Sequence, residues 1–239
     1  GKLALNNAKL RGNKIIKGNT MQTLSTARSE SQILATNKVL KNTYALLAMT
    51  LLFSAATAGV SMALNLPYFG LVTLVGYIAL LFLTAKFRDS GWGIFFVFML
   101  TGFMGLTLGP ILNAYLATAN GSQLVMTALG GTGAIFLALS GYVLTSRKDF
   151  SFMGGFLMVG ILVAFLAGLG AFIFSMPVLS LAVSGMFILL MSGMILYQTS
   201  EIIHGGETNY IMATVSLYIS IYNLFLSLLH ILGAFSGDD

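Results

Sequence analysis

The twelve Lys and Arg residues of this 239-residue chain are confined to its N-terminal part and to alternate gaps between seven long apolar runs. About 20 apolar residues in helical form cross the hydrocarbon core of a bilayer, and a helix satisfies its own backbone polar groups there. The pattern therefore predicts an all-α integral membrane protein, a seven-transmembrane-helix bundle. The predicted spans are residues 43–66, 69–85, 92–116, 123–145, 152–174, 178–204 and 210–235.

The positions of the basic residues also predict which end of the bundle faces the cytoplasm. Apart from the first 30 residues, basic residues occur only before the first run and in the second–third and fourth–fifth gaps: Lys38, Lys41, Lys86, Arg88, Arg147 and Lys148. Lys and Arg near span ends are retained on the cytoplasmic side. With an odd number of spans, the N-terminus is predicted to be cytoplasmic and the C-terminus outside.

Composition limits the chain to one membrane domain, residues 42–239, preceded by a tail, residues 1–41. Hydrophobic residues make up 57% of the chain and charged residues 8%. The tail is basic and poor in apolar residues, so we expect a flexible cytoplasmic arm, with a short helix over residues 32–41 leading into the first span. Met21 is a candidate natural start, which would make residues 1–20 a foreign addition. The net charge of +5 fits attraction to anionic membrane lipids better than nucleic-acid binding.

Small residues recur every four positions in three of the predicted spans. Such rows let helix backbones approach closely, and we expect them to pack within the molecule. Pro110 is expected to kink the third span. The rows are Gly105 and Gly109 in the third span, Gly130, Ala134 and Ala138 in the fourth, and Gly160, Ala164 and Gly168 in the fifth.

Ionisable residues within the spans are few, and they are the candidates for an ion or proton path: Glu201, His204 and His230. Intramembrane charge is costly and usually functional. Glu201 and His204 have the spacing of di-iron ligands, but no second such motif accompanies them, so we expect helix capping and no metal site. His230 could shuttle protons or form a hydrogen bond between helices. The chain has no cysteine and no nucleophile or nucleotide-binding motif, so we expect neither catalysis nor a cofactor.

Several motifs resemble those of the Bax inhibitor-1 family. The longest is GTGAIFLALSGYVLTSRKDFSFMGG at residues 131–155. Shorter ones are VLKNTY (39–44), TGFMGLTLGP (101–110), YQTSEIIHGG (197–206) and LYISIYNLF (217–225). The resemblance extends from about Met21 to the end and implies a seven-helix bundle with a central last helix, located in the bacterial inner membrane.

The same resemblance implies two functions. One is binding an FtsH-like AAA membrane protease and restraining its attack on other membrane proteins; the other is a pH-sensitive calcium or cation leak. Leak-forming members carry an acidic pair at the positions matching Gln198 and Ser220, and both residues are neutral here. Neutral side chains cannot supply the carboxylate oxygens that Ca²⁺ prefers. The protease-modulator function is therefore favoured, with Glu201 as a possible substitute acid for a leak.

Overall fold

The computed structural model describes residues 2–237, with side chains described from Glu30 onward. Two compact units divide the chain, Gly1–Lys38 and Val39–Asp239. The helices are α1 (Lys2–Ala63), α2 (Leu71–Lys86), α3 (Gly91–Leu116), α4 (Gly121–Ser146), α5 (Gly154–Ile173), α6 (Pro177–His204) and α7 (Tyr210–Ser236). A 3-10 turn, Ser151–Met153, precedes α5.

The described helices confirm the prediction of an all-α membrane protein. Six helical stretches are long and apolar enough to cross a bilayer: Glu30–Ala63, Gly91–Leu116, Gly121–Ser146, Ser151–Ile173, Pro177–His204 and Tyr210–Ser236. The remaining helix, α2, has 16 residues. Its length of about 24 Å is less than the roughly 30 Å thickness of a hydrocarbon core. The helix predicted over residues 32–41 is part of α1. The predicted tail falls largely on residues whose side chains lie outside the described part, and its flexibility stays a prediction.

The last helix, α7, lies at the centre of the bundle, as the family resemblance implies. It packs against α6, α4 and α3. Its side chains at Leu217, Tyr218, Leu224 and Leu229 are 0–1% exposed. Because α7 is surrounded by other helices, its polar residues face protein rather than lipid, and they can form a site.

The small residues of α3 pack within the molecule, as predicted, and their partner is α1. A Cβ atom at Gly105 would collide with Thr57 Oγ1 and with the backbone carbonyl oxygen of Ser54, and one at Gly109 would collide with Ser61. In α5, Gly160 packs on Leu190 of α6, and Ala164 is fully buried. Intramolecular packing is therefore confirmed for these two rows.

The corresponding prediction is wrong for α4. A Cβ atom at Gly130 would have no neighbour within 4 Å, and Ala134 and Ala138 are exposed. The row lies on the outer surface of the bundle because α4 presents a different face to α6 and α7, one that carries the buried residues Ala128, Thr132 and Ser140.

The turn between α6 and α7 fixes the register of these two helices. Gly205 ends α6 in the left-handed conformation (φ 78°), which glycine adopts without steric cost. Gly206 N–H then donates to the Glu201 carbonyl oxygen (2.8 Å). Asn209 caps α7, its side-chain oxygen accepting from the N–H groups of Ile211 (3.0 Å) and Met212 (3.1 Å). The short turn makes α6 and α7 antiparallel neighbours.

Candidate functional site

A buried hydrogen bond joins Gln198 and Ser220, the two neutral residues to which the family resemblance drew attention. Ser220 Oγ on α7 donates to Gln198 Oε1 on α6 at 3.1 Å. The Ser220 hydroxyl also lies 3.1 Å from the Ser216 carbonyl oxygen, one turn earlier. Gln198 is 8% exposed and Ser220 1% exposed. The pair is therefore a neutral contact between helices, in which neither side chain titrates in the physiological pH range.

Two cavities approach this pair from opposite ends of the bundle. The large cavity, about 540 Å³, extends from Tyr68 and Gly70 at the start of α2 to Gln198 and Ser220. The small cavity, about 150 Å³, extends from Glu201 and Glu207 at the other end of α6. Both cavities are lined by Met194, Gln198 and Ser216. These three side chains form the layer that separates the cavities.

The wall of the large cavity is apolar, with neutral hydrogen-bonding groups at its base. Ser216, Ser220 and Asn223 of α7 line it, one helical turn apart from each other. Tyr77 and Thr107 contribute further hydroxyl groups from α2 and α3. None of the described residues that line this cavity is charged. The cavity can therefore hold water or a neutral polar group, and it has no carboxylate to bind a cation.

Glu201 lies one turn beyond Gln198 and lines the small cavity, partly buried. A Cβ atom at Gly206 would collide with Glu201 Oε2, so the carboxylate packs directly on the turn after α6. Glu207 lines the same cavity, and its Oε1 accepts from the Asn209 N–H (2.8 Å). The small cavity is therefore lined by two acidic side chains, Glu201 and Glu207. Among the described residues, no group of three or more His, Cys, Asp or Glu side chains could hold a metal ion.

His204 faces the turn between α4 and α5, away from both cavities. Its Nδ1 lies 2.9 Å from the Ser200 carbonyl oxygen, and its Nε2 lies 3.1 Å from the Arg147 carbonyl oxygen. Nearby, the buried Ser200 Oγ accepts a hydrogen bond from Phe150 N–H (2.8 Å). His204 therefore contributes to a polar contact between the end of α6 and the α4–α5 turn.

The same turn contains a carboxyl group that the sequence analysis did not consider. Asp149 Oδ1 accepts from Ser151 N–H (2.8 Å), and Ser200 Oγ lies 3.4 Å away. The pKa of Asp149 is lowered mainly by the backbone N–H of Ser151. The Ser151 hydroxyl, His204 and Ser200 make smaller contributions in the same direction.

His230 lies on α7, away from the other ionisable candidates. Its Nδ1 is 2.7 Å from Ser184 Oγ on α6, and it lines neither the large nor the small cavity. The structure therefore brings together Gln198, Ser220 and Glu201 along one path, which consists of the large and the small cavity. It leaves His204 at the α4–α5 turn and His230 in a separate contact between helices.

Sequence reasoning missed Ser216 and Asn223, two α7 residues that line the large cavity together with Ser220. Ser216, Ser220 and Asn223 recur at helical spacing on one face of a mainly apolar span. That polar stripe was the available signal. Glu207 gave no such signal, because it lies in a loop and reaches the small cavity only through the fold of the α6–α7 turn.

Comparison with known proteins relates nearly the whole chain to one family. Residues 36–237 match the model of the family described as Inhibitor of apoptosis-promoting Bax1. Over 216 residues the chain is 53% identical to the Modulator of FtsH protease YccA of Escherichia coli (strain K12), covering 90% of this chain and 98% of YccA. An uncharacterized protein of Pseudomonas aeruginosa is 55% identical over 202 residues, 84% of this chain and 91% of that protein. An uncharacterized membrane protein of Vibrio cholerae is 47% identical over 213 residues, 88% of this chain and 96% of that protein.

Proposed function

Because this chain belongs to the Bax inhibitor-1 family and is a multi-pass protein of the bacterial inner membrane, we propose that it binds an FtsH-like AAA membrane protease. In this role it restrains proteolysis of other membrane proteins. The observation that carries the proposal is the 53% identity to YccA, named a modulator of FtsH protease, over 98% of that protein. The role requires no catalytic residue in this chain.

The chemistry of the buried pair supports a regulator over a calcium leak. Gln198 and Ser220 are hydrogen-bonded to each other and carry no charge. A Ca²⁺ ion prefers six to eight oxygen ligands, several of them carboxylates, and the large cavity supplies none. A regulator that acts by binding another membrane protein has no need of such ligands.

The exposed surface of the bundle also suits binding to another membrane protein. Helix α5 packs only on α6 and the preceding 3-10 turn among the element pairs described, and its opposite side exposes large apolar residues such as Phe156, Leu162 and Phe172. In a bilayer, such a surface can contact lipid or a transmembrane helix of the protease.

The proposed orientation has seven spans, a cytoplasmic N-terminus and an outside C-terminus. It rests on the basic residues before α1, between α2 and α3, and between α4 and α5. In this arrangement α2 spans the membrane despite its 16 residues, and local thinning of the bilayer compensates for its length. Residues 1–41 then form a cytoplasmic arm that the ATPase ring of the protease can grip, so that the chain occupies the enzyme as a slow substrate.

The test is proteolysis in a defined membrane. An FtsH-like protease is reconstituted with a membrane-protein substrate, with and without this chain at equal lipid content. We expect slower degradation of the substrate when this chain is present. A control uses an unrelated seven-span protein at the same density, which accounts for dilution in the membrane. Equal degradation rates with this chain and with the control would overturn the proposal.

A second candidate function, a cation leak, is favoured by one observation. The two cavities reach the same layer, at Met194, Gln198 and Ser216, from opposite ends of the bundle, and Glu201 and Glu207 line the small cavity. Displacement of that layer would join the cavities into a continuous path. Glu201 would then be the acidic group nearest to the layer along α6.

Calcium flux into liposomes tests the leak. A leak predicts flux that falls in Glu201→Gln and persists in Asp89→Asn. Asp89 is an exposed carboxylate in the α2–α3 turn that lines neither cavity. No flux above that of empty liposomes, or equal flux from both variants, would exclude the leak through Glu201.

A further inference from the structure

A third cavity, separate from the path through Gln198, forms a groove between α1 and α4. Its volume is about 490 Å³. Residues 51–62 of α1 and 125–136 of α4 form its walls, with α3 beside them, and residues 218–225 of α7 form its floor. Beyond one end of the groove, α1 and α4 meet, where Tyr44 hydrogen-bonds Ser140 and its ring lies 6.1 Å from that of Phe136. We call this cavity the α1–α4 groove.

The groove is open because small residues line both of its walls. Gly59 on α1 and Gly133 on α4 line it, and a Cβ atom at either position would have no neighbour within 4 Å. Ala55 of α1 also lines it and is exposed. Larger side chains at these positions would fill the space, so the sequence itself keeps the groove open.

The lining of the groove suits a hydrocarbon occupant. Its hydroxyl groups already have partners within the protein: Ser54 Oγ lies 2.5 Å from Tyr218 OH, and Thr132 Oγ1 donates to the Ala128 carbonyl oxygen at 2.7 Å. Tyr222 OH lies 3.4 Å from the Met104 carbonyl oxygen. None of the described residues that line the groove is charged. An occupant therefore gains apolar contact here and no new hydrogen bond.

The dimensions of the groove decide between an alkyl chain and a transmembrane helix. Each wall covers twelve residues, a rise of about 17 Å along a helix. The hydrocarbon core of a bilayer is about 30 Å thick, so a transmembrane helix packed along the protein would need a groove nearly twice this long, whereas this groove ends where α1 and α4 meet. An acyl chain occupies one leaflet, about half of that thickness, so its length matches that of the groove.

We propose that the α1–α4 groove binds one acyl chain of a membrane phospholipid. The chain lies along α7, between the second half of the α1 span and the first half of α4, within one leaflet of the bilayer. The bound chain fills the space left by Gly59 and Gly133 and covers the floor at Tyr218 and Phe225. Recognition is through the chain, so phospholipids with different headgroups and the same chains bind alike.

The test is lipid binding to the purified full-length protein, measured by native mass spectrometry after exchange into a delipidating detergent. The probes are phosphatidylethanolamine and phosphatidylglycerol, each with palmitoyl and oleoyl chains. Gly133→Leu fills the groove from α4, and Gly59→Leu fills it from α1. Gly141→Leu is the matched control, because it lies on α4 in open space and does not line the groove.

We expect the first lipid to bind about fivefold more weakly, or worse, to Gly133→Leu and Gly59→Leu, and equally to wild type and Gly141→Leu, for both headgroups. Thermal melts show whether each variant is folded, and a filling variant that does not fold is replaced by Ala55→Leu. Equal lipid binding by the filled variants and the wild type would overturn the proposal. A loss of lipid binding seen with only one headgroup would also overturn it. So would spectra in which the filled variants lose a protein dimer but keep the bound lipid.

Discussion

Ser61 on α1 donates a 2.7 Å hydrogen bond to the carbonyl oxygen of Leu106 on α3. Pro110, four residues after Leu106, has no N–H, so this carbonyl lacks its usual partner within the helix. α1 supplies the missing donor at the point where Gly109 lets the two helices approach closely. The proline and the hydroxyl are therefore parts of one contact.

Removal of this donor should destabilise the bundle modestly. Ser61→Ala leaves the Leu106 carbonyl unpaired among helices, and we expect the free energy of unfolding to fall by about 1 kcal/mol. In a Pro110→Ala background, residue 110 has an N–H that can bond the same carbonyl, so the cost of Ser61→Ala should shrink. A double-mutant cycle followed by reversible unfolding in mixed micelles measures the difference. Identical costs in both backgrounds would contradict the pairing.

Close contact between α1 and α3 makes Gly105 intolerant of a side chain. Gly105→Ala would push a methyl group into Thr57 and the Ser54 carbonyl, and we expect a loss of about 1–3 kcal/mol in the free energy of unfolding. Gly130→Ala is the control, since that position lies inside α4 with open space around it, and it should leave stability unchanged or raise it by up to about 1 kcal/mol, because Ala is the better helix former. Thermal unfolding in one detergent compares the two. An equal response would show that α1 and α3 are farther apart than described.

Asn209 should stabilise the start of α7 and hold the turn that positions Glu207. Its side-chain oxygen caps α7, while its Nδ2 donates to the Arg88 carbonyl oxygen (3.1 Å) and to Asp89 Oδ1 (2.9 Å). Asn209→Ala should lower the free energy of unfolding by about 1 kcal/mol or more. Asn209→Ser keeps a capping oxygen and should recover part of that loss in a chemical-unfolding measurement. If Asn209→Ser recovers no stability, the loss comes only from the contact of Asn209 with the α2–α3 turn.

Stability should depend on the charge of Asp149 at acidic pH. The pKa of this carboxyl is lowered, first by the Ser151 N–H. A carboxyl whose pKa is lower in the folded state adds stability above its unfolded pKa and loses it as the pH falls through the folded pKa. The melting temperature of Asp149→Asn should therefore lie below that of the wild type at neutral pH, and the gap should close below about pH 4. A gap that stays constant from neutral to acidic pH would contradict this contribution.

The N-terminal arm should determine how fast the protease degrades this chain. Deletion of the residues before Gln32 removes the segment that an ATPase ring would grip, so the half-life in the presence of an FtsH-like protease should lengthen several-fold. Pulse-chase measurements in cells with and without the protease provide the assay. An unrelated unstructured arm of equal length should restore degradation. Unchanged turnover of the deleted chain would count against the arm as the site of engagement.

The sequence predicted the helices well because their signal is local. Uninterrupted apolar runs between charged or polar gaps located the seven α-helices of the described residues, although α1 begins at Lys2, well before its apolar run. Gly205 and Asn209 mark ends that follow from backbone geometry and capping. The small-residue rows were harder to interpret. The spacing of Gly130, Ala134 and Ala138 puts them on one face, but spacing cannot state whether that face meets a helix or lipid, since both are apolar.

The site was only partly accessible from the sequence. Family resemblance indicated Gln198 and Ser220, and helical spacing linked Glu201 to them. Their shared cavities, the contribution of Glu207, and the separation of His204 and His230 from the path depend on how α6, α7 and the α4–α5 turn pack.

By itself, the sequence determined that this is an all-helical membrane protein, where its apolar helices lie, and that Gln198 and Ser220 are neutral. These properties follow from hydropathy, charge and residue identity, which act locally along the chain. Only the tertiary structure decided that Ser61 donates a hydrogen bond to the Leu106 carbonyl oxygen. It also decided that two cavities meet at Gln198, and that Gly59 and Gly133 leave a groove beside α7. Each of these depends on contacts between residues distant in the chain, and apolar patterning does not specify which helix faces meet.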